Sequence, residues 1–578
     1  MLLCEGKISD VVFVNGGEAG QGLNVVETIL IKFLKASGLY IYSSKEYMSV
    51  VRGGVNTVTI RVSDHKITAL KNDIDVLLSI SKAVVPWVSS RIKDHTLIIG
   101  EGQHIKNEVV KKDNLKEIKL TTIAKDIGDK RVLNTIIAGV LSGILNTGDE
   151  QLKEVFSAVF GNKGKEVIDL NIKAFKKGYT FGYSLRSNNF RYDFQKSKDL
   201  SNSVIMSGAD AISLGSIAAG CNYLSFYPMS PATEVALFFA RQANNFDLVV
   251  EQFEDEISVI NSAIGSWYAG GRAMVTTSGG GFDLMEEAIS LSGMAEIPVV
   301  IHLGQRPGPS TGLPTRTMQS DFNLALYAGH GEFPRVILAP GTLEDAYYLS
   351  GLAFDLAARY QIPVFILTDQ YLLDTYYVTE VSALKSPEYY AGVVEMDNNY
   401  MRYKFTENGV SPRGVPGYGN GIMICNGNEH DEFGDTTEDE GLSGKMQEKR
   451  NKKLDGLKDI ALEPKLIGSS DCKTIIICWG STLPVVQEAV STLNRNDLSI
   501  LFFNQLFPVS LKSQDYLDKA EIIIDIEHNY TGQFGNLLIQ EFGIKIDKKV
   551  LKYNGRELTV EETMDEINNF LLEKQNEK

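Results

Sequence analysis

Apolar residues fall along this chain in two alternating rhythms. Short, strand-like runs occur at Val11–Val14, Tyr223–Phe226, Val299–Leu303, Val336–Leu338 and Val364–Leu367. Between them lie longer stretches with apolar positions at helical spacing, at Leu23–Leu34, Ala232–Ala243 and Leu343–Arg359. Alternation of this kind predicts parallel α/β layers. The punctuation agrees: Thr342 with Asp345 three residues on resembles a capping box, and Ser230 before Pro231 reads as an N-cap followed by the first helical residue. The last part of the chain repeats the pattern, with strand Thr474–Trp479, helix Pro484–Leu493, strands Leu498–Phe503 and Ile522–Ile526, and a helix beyond Gly532.

Two segments break the rhythm. The polar stretch Ser187–Ser203 ends a first domain. Within Ser386–Pro464, seven acidic residues in twelve (Glu429–Glu440) are answered by five basic ones in Lys445–Lys453, the composition of a solvated connector. The expected domains are therefore 1–190, 200–385 and 465–578, with 386–464 as linker and extended loop. A length of 578 residues accommodates them, and 43% hydrophobic with 22% charged residues is ordinary globular usage. The formal net charge of −16 disfavours nucleic acid as a partner. No run reaches the ~18–20 apolar residues of a membrane span, and the start Met1-Leu2-Leu3-Cys4-Glu5 does not read as a signal peptide, so a cytoplasmic location is expected. The five cysteines contain no Cys-x-x-Cys pair and read as small buried apolar residues.

Several motifs compete as carriers of chemistry. Strand Val11–Val14 runs into Gly16-Gly17-Glu18-Ala19-Gly20-Gln21-Gly22, whose free amides suit an anion. Val25 stands where a dinucleotide fold needs its third glycine, so a structural turn is at least as good a reading as NAD binding. Arg52-Gly53-Gly54 reads as a turn between strands. Gly308-Pro309-Ser310-Thr311-Gly312 matches the G-x-S-x-G of serine hydrolases but lacks the strand-to-helix elbow that makes such a serine nucleophilic. The seven histidines fall singly, without metal-ligand spacing, and His430 sits in what reads as a charged, solvated loop. The most informative stretch is Leu248–Ser258, where Glu254-Asp255-Glu256 opens a helix of small residues, followed by Ala273–Thr277 and the turn Ser278-Gly279-Gly280-Gly281. The acids complement a helix dipole or do chemistry; the glycine turn lets a flat ligand approach the backbone.

With these residues in place, the middle of the chain resembles the pyrimidine-binding domain of thiamine diphosphate enzymes. More narrowly, Tyr227-Pro228-Met229-Ser230-Pro231-Ala232-Thr233-Glu234, Gly308–Arg316, His330–Arg335 and Glu429–Glu432 resemble the alpha subunit of 2-oxoacid:ferredoxin oxidoreductases. Glu18–Gly22 and Val51–Val55 resemble the family's gamma domain, and the order gamma then alpha is similar to two-subunit members of the 2-oxoglutarate oxidoreductase type. Ser230 stands in place of the commoner Thr, and Gly280 in place of a Pro.

The resemblance implies a gamma-type α/β domain, a pyrimidine-binding domain and a transketolase C-terminal-like domain. It implies oxidative decarboxylation of a 2-oxoacid with coenzyme A, in which the thiamine ring supplies the electron sink. Glu256 would bond the aminopyrimidine and promote its imino tautomer, with Glu251 and Glu254 as fallback candidates. Ser278, Gly279 and Gly280 would line the cofactor. Ser230 and Arg316 would hold the substrate carboxylate, with Tyr227 shaping the pocket. No Gly-Asp-Gly signature and no thiolate set are present, so magnesium, the diphosphate and a 4Fe-4S cluster are assigned to a beta subunit, with ferredoxin as acceptor and a dimer of alpha-beta pairs as the assembly. The expected substrate is 2-oxoglutarate, with pyruvate and branched 2-oxoacids as alternatives. Two other readings stand beside this one: a non-catalytic scaffold that keeps the fold, and an NAD-linked dehydrogenase using Gly16–Gly22.

Overall fold

Period-two alternation decides how the first strand is used. In Asp10–Glu18, Val11 and Phe13 enter one apolar cluster and Val12 and Val14 another, because successive side chains leave opposite faces of a sheet. The computed structural model describes residues 10–48, 54–105, 112–186, 190, 192, 194–197, 200–387 and 389–576. They fall into two units.

The first unit holds the chain up to Met206, with Asp374–Ala383 and Thr559–Glu561. Its eight-stranded sheet runs in the order Leu115–Glu117, Ile92–Gly100, Ile74–Ser79, Asp10–Glu18, Val55–Ser63, Tyr40–Glu46, Tyr376–Glu380, Ser203–Ser207. The sheet is mixed rather than wholly parallel. Asp10–Glu18 pairs parallel with Ile74–Ser79 but antiparallel with Val55–Ser63, which itself pairs antiparallel with Tyr40–Glu46. Tyr40–Glu46 and Val55–Ser63 are sequential neighbours separated by only eight residues, too few for a parallel crossover, and they pair as a hairpin. Of the motif at its tip, Val51, Arg52 and Gly53 lie outside the described residues; Gly54 has φ 75°. Helices Leu23–Ala36, Leu133–Leu145 and Lys165–Ser184 cover one face. The last two cross at small residues: a Cβ on Gly139 or Gly143 would strike the backbone of Lys165–Ser184, and one on Gly178 or Gly182 that of Leu133–Leu145.

The second unit holds Ser207–Leu373, Leu384–Leu558 and the chain from Glu562. Its seven-stranded sheet has the order Gln505–Phe507, Val336–Leu338, Pro363–Asp369, Val299–Gln305, Ala273–Thr277, Tyr223–Phe226, Val249–Gln252. Every pair is parallel except the edge strand Gln505–Phe507, which the last part of the sequence lends to this sheet. A five-stranded sheet follows in the order Lys465–Ile467, Leu498–Phe503, Thr474–Trp479, Ile522–Glu527, Lys548–Leu551. No helix among the described residues is long and apolar enough to cross a membrane.

The connector assignment is corrected in part. The described residues of 386–439 hold little regular structure, but Glu440–Asp459 is a helix whose Lys449, Arg450 and Lys453 are at most 4% exposed. Lys449 Nζ and Lys453 Nζ lie 2.6 and 2.5 Å from the two oxygens of buried Glu296, and Arg450 pairs with Glu429 at 2.7 Å. His430, read as solvated, is fully buried with its ring 3.7 Å from that of Tyr403. Of the cysteines, Cys221, Cys472 and Cys478 are buried free thiols, Cys425 is partly buried, and Cys4 lies outside the described residues.

Candidate active site

In a parallel sheet every strand delivers its following loop to the same edge, and ligands collect there. At this edge of the seven-stranded sheet, Val249–Gln252 leads to Glu256, Tyr223–Phe226 to Tyr227 and Ser230, Ala273–Thr277 to the glycine turn, and Val299–Gln305 to Arg306.

Glu256 is the first residue of helix Glu256–Tyr268. Asp255 caps that helix, its carboxylate accepting the Ser258 amide at 2.8 Å. The cap thus falls to Asp255 and leaves the Glu256 carboxylate free for other work. Of the three candidate carboxylates, Glu251 and Glu254 are exposed, whereas Glu256 is 5% exposed. It lies directly against the glycine turn: a Cβ on Gly281 would stand 2.6 Å from Glu256 Oε1 and 3.1 Å from Cδ. The turn continues as the four-residue helix Gly279–Phe282, with Ser278 at its N-cap position, fully buried and with Oγ lacking a protein partner. The outer side of the turn is open. At Gly280 the nearest atom to a Cβ would be Ser310 O at 3.7 Å.

Ser230 does not cap a helix. Pro231 and Ala232 form a turn in which the Thr233 amide donates to Met229 O at 3.1 Å, and the helix begins at Thr233. Ser230 is instead held through its carbonyl, which accepts from Arg306 Nη1 at 2.8 Å. Tyr227, 37% exposed, lies at the surface of the same loop. Arg316 lies on the long loop after Val299–Gln305, and that loop is tied to the last part of the chain: the Thr317 amide donates to Gly555 O at 3.2 Å, and a Cβ on Gly555 would meet Arg316 Cβ at 3.2 Å. Ser310 is exposed with φ 57°, in a loop rather than on an elbow between strand and helix.

Two site residues escaped the sequence reading. Arg306, 8% exposed at the strand end, organises the Ser230 loop. Asp321 lies against the other end of the glycine turn: a Cβ on Gly279 would be 2.5 Å from its Oδ2. Burial pushes the Asp321 carboxyl up to about 7, with Asp283 adding to the rise while Ser320 and Arg306 oppose it. One signal was available, since both residues follow the strand Val299–Gln305 that the apolar pattern had located.

Two families match the chain: Pyruvate flavodoxin/ferredoxin oxidoreductase, thiamine diP-bdg, over residues 214–449, and Pyruvate ferredoxin/flavodoxin oxidoreductase over residues 12–181. The 2-oxoacid:ferredoxin oxidoreductase subunit alpha of a Sulfolobus species is 31% identical over 609 residues, covering 94% of either chain. This chain belongs to that family of alpha subunits. The 2-oxoacid:ferredoxin oxidoreductase fold extends over almost its full length: the solved 2-oxoglutarate:ferredoxin oxidoreductase from Magnetococcus marinus, with 2-oxoglutarate, coenzyme A and succinyl-CoA bound, aligns at a TM-score of 0.90 and 30% identity over 97% of this chain and 99% of that one. A 2-oxoglutarate synthase subunit KorA from Archaeoglobus fulgidus is 43% identical over 166 residues, 29% of this chain and 48% of that protein. Gamma and alpha parts are fused in the order expected, and the fold is α/β throughout. The residues present fit the heterocyclic half of thiamine diphosphate. They supply a buried carboxylate, a turn with open space on its outer side, and an unpartnered buried hydroxyl beside it.

Proposed function

We propose that this chain is the gamma-alpha subunit of an enzyme that oxidatively decarboxylates 2-oxoglutarate with coenzyme A and passes the electrons to ferredoxin through a beta subunit. The observation that carries the reading is the buried Glu256 carboxylate packed on the Gly281 turn. Thiamine diphosphate, when bound, supplies the sink for the electrons left on the substrate carbonyl carbon. This chain's own part is to hold and orient. Glu256 keeps a carboxyl at the ring-binding turn, shielded from water, where it accepts and returns a proton at Oε1. Ser278, Gly279 and Gly280 form the wall of that cradle. Ser230 and Arg316 bind the substrate carboxylate, with Tyr227 at the rim.

A beta subunit carrying the diphosphate, magnesium and a 4Fe-4S cluster fits the surface around this edge. Leu237, Phe246, Val249, Ile257 and Leu284 are 43–53% exposed on the elements that flank Glu256, an apolar rim of the kind partner chains cover. The choice of 2-oxoglutarate is supported by the ligands named for the Magnetococcus marinus structure and by the 2-oxoglutarate synthase subunits among the relatives. Retention of Glu256, Arg316 and an open glycine turn in one chain weighs against a scaffold without activity.

The test is co-expression with the partner subunit, followed by coenzyme A-dependent reduction of a viologen dye over a panel of 2-oxoacids. 2-Oxoglutarate should give the highest kcat/KM. Glu256→Gln should lower turnover by about 10²–10⁴-fold, the usual worth of a positioned acid-base group, with the fold retained. Near-parental turnover in that variant would remove the role from Glu256. Dye reduction and iron-sulfur absorbance by this chain alone would overturn the division of labour.

A further inference from the structure

A second carboxyl, on the partly buried Asp321, abuts the glycine turn, and the reaction leaves it unused. Asp321 precedes the short helix Phe322–Leu326 and presses on Gly279, where a Cβ would lie 2.5 Å from Oδ2, 2.8 Å from Cγ and 3.0 Å from Oδ1. Oδ2 is buried and accepts no hydrogen bond among the described residues, and Ser278 Oγ, on the residue before Gly279, is equally unpartnered among them. Oδ1 receives one long bond, from Ser320 Oγ at 3.4 Å.

The backbone around this carboxyl is held firmly. The Asp321 amide donates to Gln305 Oε1 at 2.9 Å, the Ser320 carbonyl accepts Gln533 Nε2 at 2.8 Å, and the Gln319 amide donates to His528 O at 2.7 Å. With its main chain fixed at these points, the side chain stays against the turn. A neutral carboxyl is tolerated there. An ionised one is disfavoured, because a buried carboxylate oxygen without a donor bears a desolvation cost. The charged groups facing it do not compensate: Arg306 attracts, Asp283 repels, and burial outweighs both. No ion pair reaches Asp321 among the described residues, and Glu256 occupies the opposite end of the same turn.

We propose that Asp321 is a positioning residue for the glycine turn: in its neutral form it seats Gly279, and its ionisation loosens the cradle that receives the aminopyrimidine ring. This rests on the reading of the turn as a thiamine diphosphate site. The carboxyl acts through Gly279 and does not touch the cofactor.

The experiment is calorimetric titration of the assembled complex with thiamine diphosphate and magnesium between pH 6 and 8.5. Parental affinity should fall as pH rises above about 7, at a limiting slope of about tenfold per pH unit, because binding favours the proton-bearing form. Asp321→Asn keeps the shape, cannot ionise, and should remove that component of the pH dependence while binding at pH 6 stays within about threefold of parental. Gly279→Ala, which drives a methyl into the Asp321 carboxyl, should weaken binding at pH 6 and flatten the profile. Three outcomes would overturn the proposal: a parental pH profile in Asp321→Asn, loss of binding at pH 6 in a normally melting Asp321→Asn, or unaltered binding in Gly279→Ala. A parental complex that binds no thiamine diphosphate at any pH would overturn the site reading itself, and the proposal with it.

Discussion

Substituting alanine at two adjacent glycines separates space from chemistry in the turn. Neither Gly280 nor Gly281 has positive φ, so neither substitution strains the backbone, and alanine suits a short helix better than glycine does. The difference lies in what a methyl group meets. At Gly281 it would stand 2.6 Å from Glu256 Oε1, and it would also strike Thr277 Oγ1. Ordinary contact begins near 3.4 Å, so the carboxylate oxygen has to retreat by about 0.8 Å (3.4 minus 2.6). At Gly280 the methyl would be 3.7 Å from Ser310 O, in ordinary contact with nothing displaced. A misplacement approaching 1 Å in a reacting constellation costs on the order of 10²-fold in rate. At saturating thiamine diphosphate, Gly281→Ala should therefore reduce 2-oxoacid-dependent dye reduction by about that factor, whereas Gly280→Ala, whose methyl enters the space left for the cofactor, should act through weaker cofactor binding, with both proteins melting close to parental. The assay is steady-state turnover of each reconstituted complex, alongside thermal unfolding of the isolated chain. A Gly281→Ala enzyme at parental rate would refute the placement of Glu256 as the group the turn must clear.

Two further predictions concern the scaffold. Glu296→Gln removes the counter-charge shared by the buried Lys449 and Lys453, and breaking a buried pair from one side costs about 3–5 kcal/mol. Denaturant unfolding of the full chain checks it, and a loss below about 1 kcal/mol would show that these lysines are solvated in the folded protein. Asp525→Asn addresses pH. Asp525 is fully buried with both oxygens unpartnered, and burial together with the neighbouring Glu527 pushes its carboxyl well above the ordinary range. A raised folded value means the native state holds the proton more tightly, so stability is full below about pH 4 and declines as pH rises towards the folded value. The asparagine variant should lack that decline in unfolding free energies measured from pH 5 to 8, and an unchanged profile would show that Asp525 does not hold the proton.

Where neighbours in sequence are neighbours in space, the pattern of residues was sufficient. Tyr223–Phe226, Val336–Leu338, Thr474–Trp479 and Leu498–Phe503 are strands at the predicted bounds. Thr342 caps its helix as its spacing with Asp345 implied, its Oγ1 accepting the Asp345 amide at 3.0 Å. Pattern alone misled where partners are remote. Helix Glu440–Asp459 reads as a solvated charge run, yet Lys449 and Lys453 are four residues apart and so share a face, and their acid Glu296 lies 153 residues from Lys449. Composition records a charge but not whether an opposite one waits for it in the core. The mixed pairing in the first sheet was not legible for a related reason: alternating strands and helices suggest crossovers, and only the pairing itself sets Asp10–Glu18 between a parallel and an antiparallel neighbour.

The same division runs through the candidate site. Glu256 and the glycine turn were legible because each belongs to a local motif: a carboxylate at a helix start, and glycines after a strand. What joins them, Glu256 Oε1 against Gly281, follows from the order of strands in the sheet, which places Val249–Gln252 beside Tyr223–Phe226 and that strand beside Ala273–Thr277. Asp321 has no local motif at all. Between Ser320 and Phe322 it reads as an ordinary helix-opening acid, and its meaning comes from Gln305, Gln533 and Trp479, which fix the segment 319–321 from the strand end before it and from the last sheet. If that fixing is what keeps Asp321 on Gly279, the C-terminal part of the chain is a working component of the site as well as a neighbour of it. Gln319 makes that link, since its Nε2 donates to Trp479 O and its Oε1 accepts the His528 amide at 3.1 Å, so that one residue ties the Asp321 segment to the end of strand Thr474–Trp479 and to the residue that follows strand Ile522–Glu527.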